Sequence, residues 1–165
     1  MSYLNEQIIT YLGNKRKLLP LILQATEPKN KICLDLFSGS GVVARLFKEN
    51  GASKVIANDL EDYSRIINQC YLANPEDYDM QKYEIERKKV LYAPPVVNGP
   101  IYTNYAPHGE RIQKEDRCFY TPKNAILIDS VRVSIRQFVS PELQPFFIAP
   151  LLYEASVHTN TSGVF

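Results

Sequence analysis

The residues best suited to chemistry are Asp35-Leu36-Phe37-Ser38-Gly39-Ser40-Gly41, followed 20 residues after Gly39 by Asp59. Glycines at a turn let the backbone approach a ligand closely, and ahead of a helix they help present amide donors. An acid ending the next strand is placed to accept hydrogen bonds from ribose hydroxyls. Such a pattern calls for an adenosine-bearing cofactor. The plain alternative is a glycine turn that merely packs a strand on a helix, but two glycines and two acids in one frame argue against it.

Two cofactors compete for this loop. Gly39-Ser40-Gly41-Val42-Val43-Ala44 satisfies the GxGxxA form of the dinucleotide fingerprint, which suits NAD. Asp35 discriminates between them. An acid just before the loop repels a pyrophosphate, yet it can pair with the cationic α-amino group of S-adenosylmethionine. The balance favours S-adenosylmethionine, with an NAD-binding oxidoreductase fragment kept as the alternative.

The elements that must position these residues are legible around them. Lys31 to Phe37 is an apolar run of strand length, and Val42 to Gly51 has helical periodicity with a glycine stop. Ser53 to Asp59 is a second strand, and residues 62–73 form a second amphipathic helix with Asp62 as its cap. Strand, glycine loop, helix, strand and helix make a parallel βαβ unit. Upstream, Ile8 to Lys17 approaches in extended form with a turn at Gly13-Asn14. Leu18 to Leu23 then reads as a buried helix with a proline in its first turn.

Residues 74–120 are rich in proline, tyrosine and polar side chains and read as an irregular insertion, with Tyr83 to Lys89 as a solvated helix inside it. Thr121-Pro122 then opens a well-signalled helix, a threonine cap with proline at the first position. Residues 141–157 form another apolar helix, and 158–163 a polar turn. The expected class is α/β throughout one partial domain spanning 1–165.

Composition sets the outer limits. The chain has 165 residues, is 45% hydrophobic and 22% charged, and carries a net charge of +1. These values fit a globular domain with a real core and exclude collagen-like and disordered classes. They supply no global positive field, so DNA affinity must come from local patches such as Lys15-Arg16-Lys17. Cys33, Cys70 and Cys118 form neither a zinc pattern nor a disulfide framework. Cys33 and Cys70 read as small buried hydrophobes, which suits a reducing, cytoplasmic setting. Neither a membrane span nor a leader pattern is expected, and no metal set is recognised.

The glycine loop and its surroundings resemble the D12 class of DNA adenine-N6 methyltransferases. Asp35 to Gly41 is similar to the first motif of that family. Tyr11-Leu12-Gly13-Asn14-Lys15 resembles the tyrosine-x-glycine-x-lysine element that precedes it, and Asn58-Asp59-Leu60 resembles the second motif. Arg117 to Asp129 is similar to a linking helix of some members. The resemblance implies a Rossmann-like class I S-adenosylmethionine-dependent methyltransferase fold, here incomplete. It also implies that Tyr11, Gly13, Asn14 and Lys15 fold over the methionine end of the cofactor. Asp35, Leu36, Phe37, Ser38, Gly39, Ser40 and Gly41 would form the binding loop, Asp59 would hold the ribose, and Leu60 would pack on the adenine. DNA carrying a target adenine is the implied partner, in a bacterial restriction–modification system.

One part of that family's chemistry is missing. N6 methylation uses an Asp/Asn-Pro-Pro-Tyr/Phe tetrapeptide, whose polar groups accept from the exocyclic amine while its ring stacks on the flipped base. Ala93-Pro94-Pro95-Val96 has neither acceptor nor aromatic, and Asn74-Pro75-Glu76-Asp77 has one proline. No catalytic residue is therefore assigned. Asn160 and Gly163 resemble the first residues of the family's recognition hairpin, which places its start at 158–165. The expectation is a chain inactive by itself, completed by a second chain or a missing C-terminal segment. A non-catalytic subunit or a truncated remnant stands beside it.

Overall fold

The computed structural model describes residue 4, residues 15–109 and residues 111–160. The chain divides into two compact units, Met1–Asp77 with Phe165, and Tyr78–Val164.

The first unit contains the βαβ frame. A 3-10 turn, Lys15–Leu18, leads into α1 (Leu19–Thr26), which carries Pro20 in its first turn where no intrahelical amide is required. Strand β1 (Ile32–Asp35) follows, then α2 (Val42–Glu49), β2 (Lys54–Ala57) and α3 (Asp62–Tyr71). The strands are parallel, with Ile32 opposite Lys54 and Asp35 opposite Ala57. They are the only strands among the described residues. For β1, β2, α2 and α3 the expected and observed elements coincide to within a few residues, whereas α1, expected to be buried, has no buried residue and Lys15–Lys17 lie in the 3-10 turn rather than an extended approach. The cap of α3 differs: Glu61 occupies that position without a side-chain bond, and Asp62 lies in the first turn.

One face of this sheet is well covered. Cys33, Val42, Val43 and Phe47 pack together with Leu19, Ile22, Ala52 and Val55 at their margin. Truncation of a buried ring such as Phe47 to alanine costs about 3–5 kcal/mol. On the strands themselves the alternate residues are open: Ile32 is 69% and Leu34 51% exposed, and Ile56 is 41% exposed. Parallel strands are ordinarily buried on both faces. Cys70, expected to be buried, is half-buried, because α3 turns Ile67 and Asn68 inward instead.

The second unit is helical: α4 (Met80–Leu91), α5 (Pro100–Tyr105), α6 (Pro122–Phe138) and α7 (Gln144–Val157). The stretch expected to be irregular thus contains α4 and α5. Asp79 caps α4 by accepting from the Gln81 and Lys82 amides, a cap that falls inside a segment read as loop. Nor is α4 solvated all round, since Glu86 is buried and accepts from both the Ser140 amide and its hydroxyl. The Thr121 hydroxyl caps α6 by accepting from the Asn124 amide. Ile135, Val139 and Leu143 form the core, with Tyr78 edge-on to Phe146 at 4.7 Å between ring centres. The segment at 158–165 is described as far as Asn160, whose amide donates to the Phe119 carbonyl at 2.7 Å. Among the described residues no helix is long and apolar enough to cross a membrane.

Candidate cofactor site

The site is built at the carboxyl ends of two adjacent parallel strands, where open α/β sheets characteristically bind ligands. Pairing of Asp35 with Ala57 brings the end of β1 beside the segment that runs on to Asp59. The two ends are laced together beyond the regular ladder. The Asn58 amide donates to the Asp35 carbonyl at 2.8 Å, and the Ser38 amide donates to the Asn58 carbonyl at 3.0 Å. The Asn58 side-chain amide donates to the Leu36 carbonyl at 2.9 Å.

Between them the loop turns sharply. Gly39 and Gly41 adopt φ of 51° and 73°, the left-handed region that glycine enters without a Cβ penalty. The Gly41 amide donates to the Ser38 carbonyl at 2.8 Å, closing the turn, and Gly41 caps α2. A Cβ at Gly39 would meet nothing within 4 Å, so the loop leaves open space at that point. The positive end of the α2 dipole adds to its affinity for electron-rich groups.

The two acids are held differently. Asp59 accepts from the Gly39 amide at 2.7 Å through Oδ2 and from the Glu61 amide at 3.0 Å through Oδ1. The Glu61 amide first, and then the Gly39 amide, hold its carboxyl below the ordinary value of 3.8, against a smaller opposing effect of burial. Asp35 is only 5% exposed. Its Oδ1 lies 3.5 Å from the Lys15 ammonium, which also donates to the Phe37 carbonyl at 2.7 Å. Its Oδ2 is buried and has no hydrogen-bond partner among the described residues. A buried acceptor in that condition carries a desolvation cost that a cationic donor would relieve.

Apolar side chains flank the acids on the outside. Phe37 is 78% and Leu60 97% exposed, and Leu36 is also open. A ring and a leucine left in solvent beside polar anchors suit a flat, partly apolar ligand. Below Asp59, a cavity of about 410 Å³ is bounded by Asn58, Ser64, Arg65, Asn68 and Gln69 among others.

The structure therefore brings together Lys15, Asp35, Ser38, Gly39, Gly41 and Asp59, with Leu36, Phe37, Ser40 and Leu60 on the same loops. Tyr11, Gly13 and Asn14 lie outside the described residues. Sequence reasoning missed Asn58 as a lacing residue and Asn68 as a buried support. The one available signal for Asn68 was an amide in the middle of an otherwise inward-facing helical stripe.

Comparison with known proteins places the chain in a family. The family model for D12 class N6 adenine-specific DNA methyltransferases matches residues 11–95, which include both acids and the whole loop. The chain is 31% identical over 170 aligned positions to Type II methyltransferase M.NlaIII of Neisseria lactamica, covering 95% of this chain and 48% of that protein. It is 29% identical to modification methylase LlaI of Lactococcus lactis, covering 94% of this chain and 26% of the relative. A shorter match, 29% identical over 59% of this chain and 35% of the relative, is to a ribosomal protein L11 methyltransferase of Acinetobacter baumannii. The chain thus spans half or less of the length of these relatives. No solved structure matches it. The NAD alternative is set aside, because the glycine loop that suggested it lies within the methyltransferase match. With both strand-end acids and the loop between them inside that match, the chain belongs to the D12 class N6 adenine-specific DNA methyltransferase family.

Proposed function

We propose that this chain supplies the S-adenosylmethionine-binding part of a site-specific DNA adenine-N6 methyltransferase of a restriction–modification system, on a Rossmann-like class I frame. The observation that carries this is the Asp35 oxygen, without a partner among the described residues, beside an open glycine loop. The likeness to a ribosomal protein methyltransferase adds support. What that relative has in common by name with the two modification methylases is methyl transfer and not the acceptor.

Bound there, S-adenosylmethionine would supply an electrophilic methyl group for the exocyclic nitrogen of adenine. The chain's own residues do the holding. Asp35 pairs its free oxygen with the α-ammonium, and Lys15, bridging Asp35 and the Phe37 carbonyl, stands beside the same end of the ligand. The Asp35 oxygen has no solvent contact, so the ammonium reaches it only as a neighbouring group shifts aside. Asp59 spends one lone pair of each oxygen on loop amides and keeps the others for ribose hydroxyls. Phe37 and Leu60 cover the adenine.

Calorimetric titration with S-adenosylmethionine, alongside an NADH titration as control, tests the proposal. Saturable binding of the first ligand alone is expected; a folded chain that binds neither rejects it.

A further inference from the structure

We infer that Asn68, on α3, is a positioning residue for the cofactor loop; this rests on the cofactor reading above. Asn68 lies 30 residues beyond Ser38 and is itself 8% exposed. Its side-chain amide is placed in one orientation by its partners. The Ser64 carbonyl only accepts, so the Asn68 nitrogen faces it, at 2.8 Å, and also reaches the Ser64 hydroxyl at 3.3 Å. The Asn68 oxygen must then face the loop, where the Ser38 hydroxyl donates to it at 3.1 Å.

The loop is shaped to receive this amide. A Cβ at Gly41 would stand 2.7 Å from the Asn68 oxygen, closer than such atoms approach. Gly41 is thus required twice, for its left-handed φ and for the space that Asn68 occupies. Ser38 is buried at 4% exposure and is the hub of the turn: its amide donates to Asn58, its carbonyl accepts from Gly41, and its hydroxyl is held by Asn68. Asparagine is a mediocre helix former and a buried amide is costly unless fully bonded. A leucine, with the same branching and no polar group to satisfy, would suit the inward face of α3 better, so the amide is explained by what it holds.

The test separates positioning from folding. Asn68→Leu removes the hold but leaves the Ser38 hydroxyl buried without its acceptor. Ser38→Ala/Ser64→Ala/Asn68→Leu removes all three buried polar side chains of this cluster together, which is close to neutral for stability. The triple variant is expected to melt near the wild-type temperature yet bind S-adenosylmethionine about ten-fold more weakly. The single variants should each show the weakening, and their effects should not add. If Asn68→Leu fails to fold, Asn68→Ala is read in its place. Variants that bind as tightly as wild type, or that lose melting temperature alone, overturn the role of Asn68. A folded wild-type chain that does not bind removes the cofactor reading and this inference with it.

Discussion

The two acids at the strand ends stand in opposite conditions. Asp59 is satisfied by its own chain: the Gly39 and Glu61 amides occupy both oxygens, and they lower its proton affinity. Asp35, more deeply buried, has one oxygen near Lys15 and the other without a partner among the described residues. Asp59 is therefore part of the scaffold as much as of the site, and Asp35 is a group whose burial Lys15 offsets only in part until something binds. Unsatisfied buried groups of this kind concentrate where function requires them. The contrast turns two residues that look alike in sequence into different experimental objects.

Three substitutions probe that contrast, and the largest effect is expected at Asp35. Asp35→Ala should weaken S-adenosylmethionine binding about 100-fold, as loss of a charge-assisted bond in a buried setting implies. Its melting temperature should stay nearly level, since loss of the Lys15 pair is offset by removal of the buried acceptor. A large drop in melting temperature with unchanged affinity would reverse the assignment.

Asp59→Ala should do less to binding, about ten-fold, and more to the fold, about 1 kcal/mol, because two amides lose their acceptor. Its pH dependence has a definite sign. The folded carboxyl titrates below its ordinary value of 3.8, so its stabilising contribution is intact above that value and is lost as pH falls through the lower folded one. Acid melts of wild type should show this loss, and Asp59→Asn should lack that part of it.

The smallest effect on the site is expected at Thr121, which like Asp59 uses a side-chain oxygen to hold a backbone amide, but at the start of α6. Thr121→Ala should cost about 1 kcal/mol in denaturant unfolding and leave cofactor affinity unchanged. A change in affinity would show that general destabilisation leaks into binding, which would blunt the reading of Asp59.

Much of this arrangement was legible in the residues. Helical and strand periodicity located the βαβ frame, and Thr121-Pro122 announced α6, because these signals are local in the chain. The loop between Asp35 and Gly41 was equally plain, since glycine before a helix has few other uses. What stayed hidden depends on contacts between distant positions. Asn68 meets Ser38 across 30 residues, and no spacing rule predicts that. The cap at Asp79 was obscured by its proline- and tyrosine-rich neighbours, so α4 is longer than the helix expected at 83–89 and α5 emerged from a stretch read as irregular. Asp35 and Asp59 were both assigned to the cofactor on their positions. Their difference arises from which amides the folded backbone happens to turn toward each carboxylate.

The most direct test of the central claim concerns the free Asp35 oxygen. The affinity of the wild-type chain for S-adenosylhomocysteine should be compared with that for the analogue lacking the α-amino group, and the pair repeated with Asp35→Ala. The account predicts that wild type prefers the amino-bearing ligand by about 100-fold and that Asp35→Ala binds both alike. Equal binding of the two ligands by the wild-type chain would contradict it.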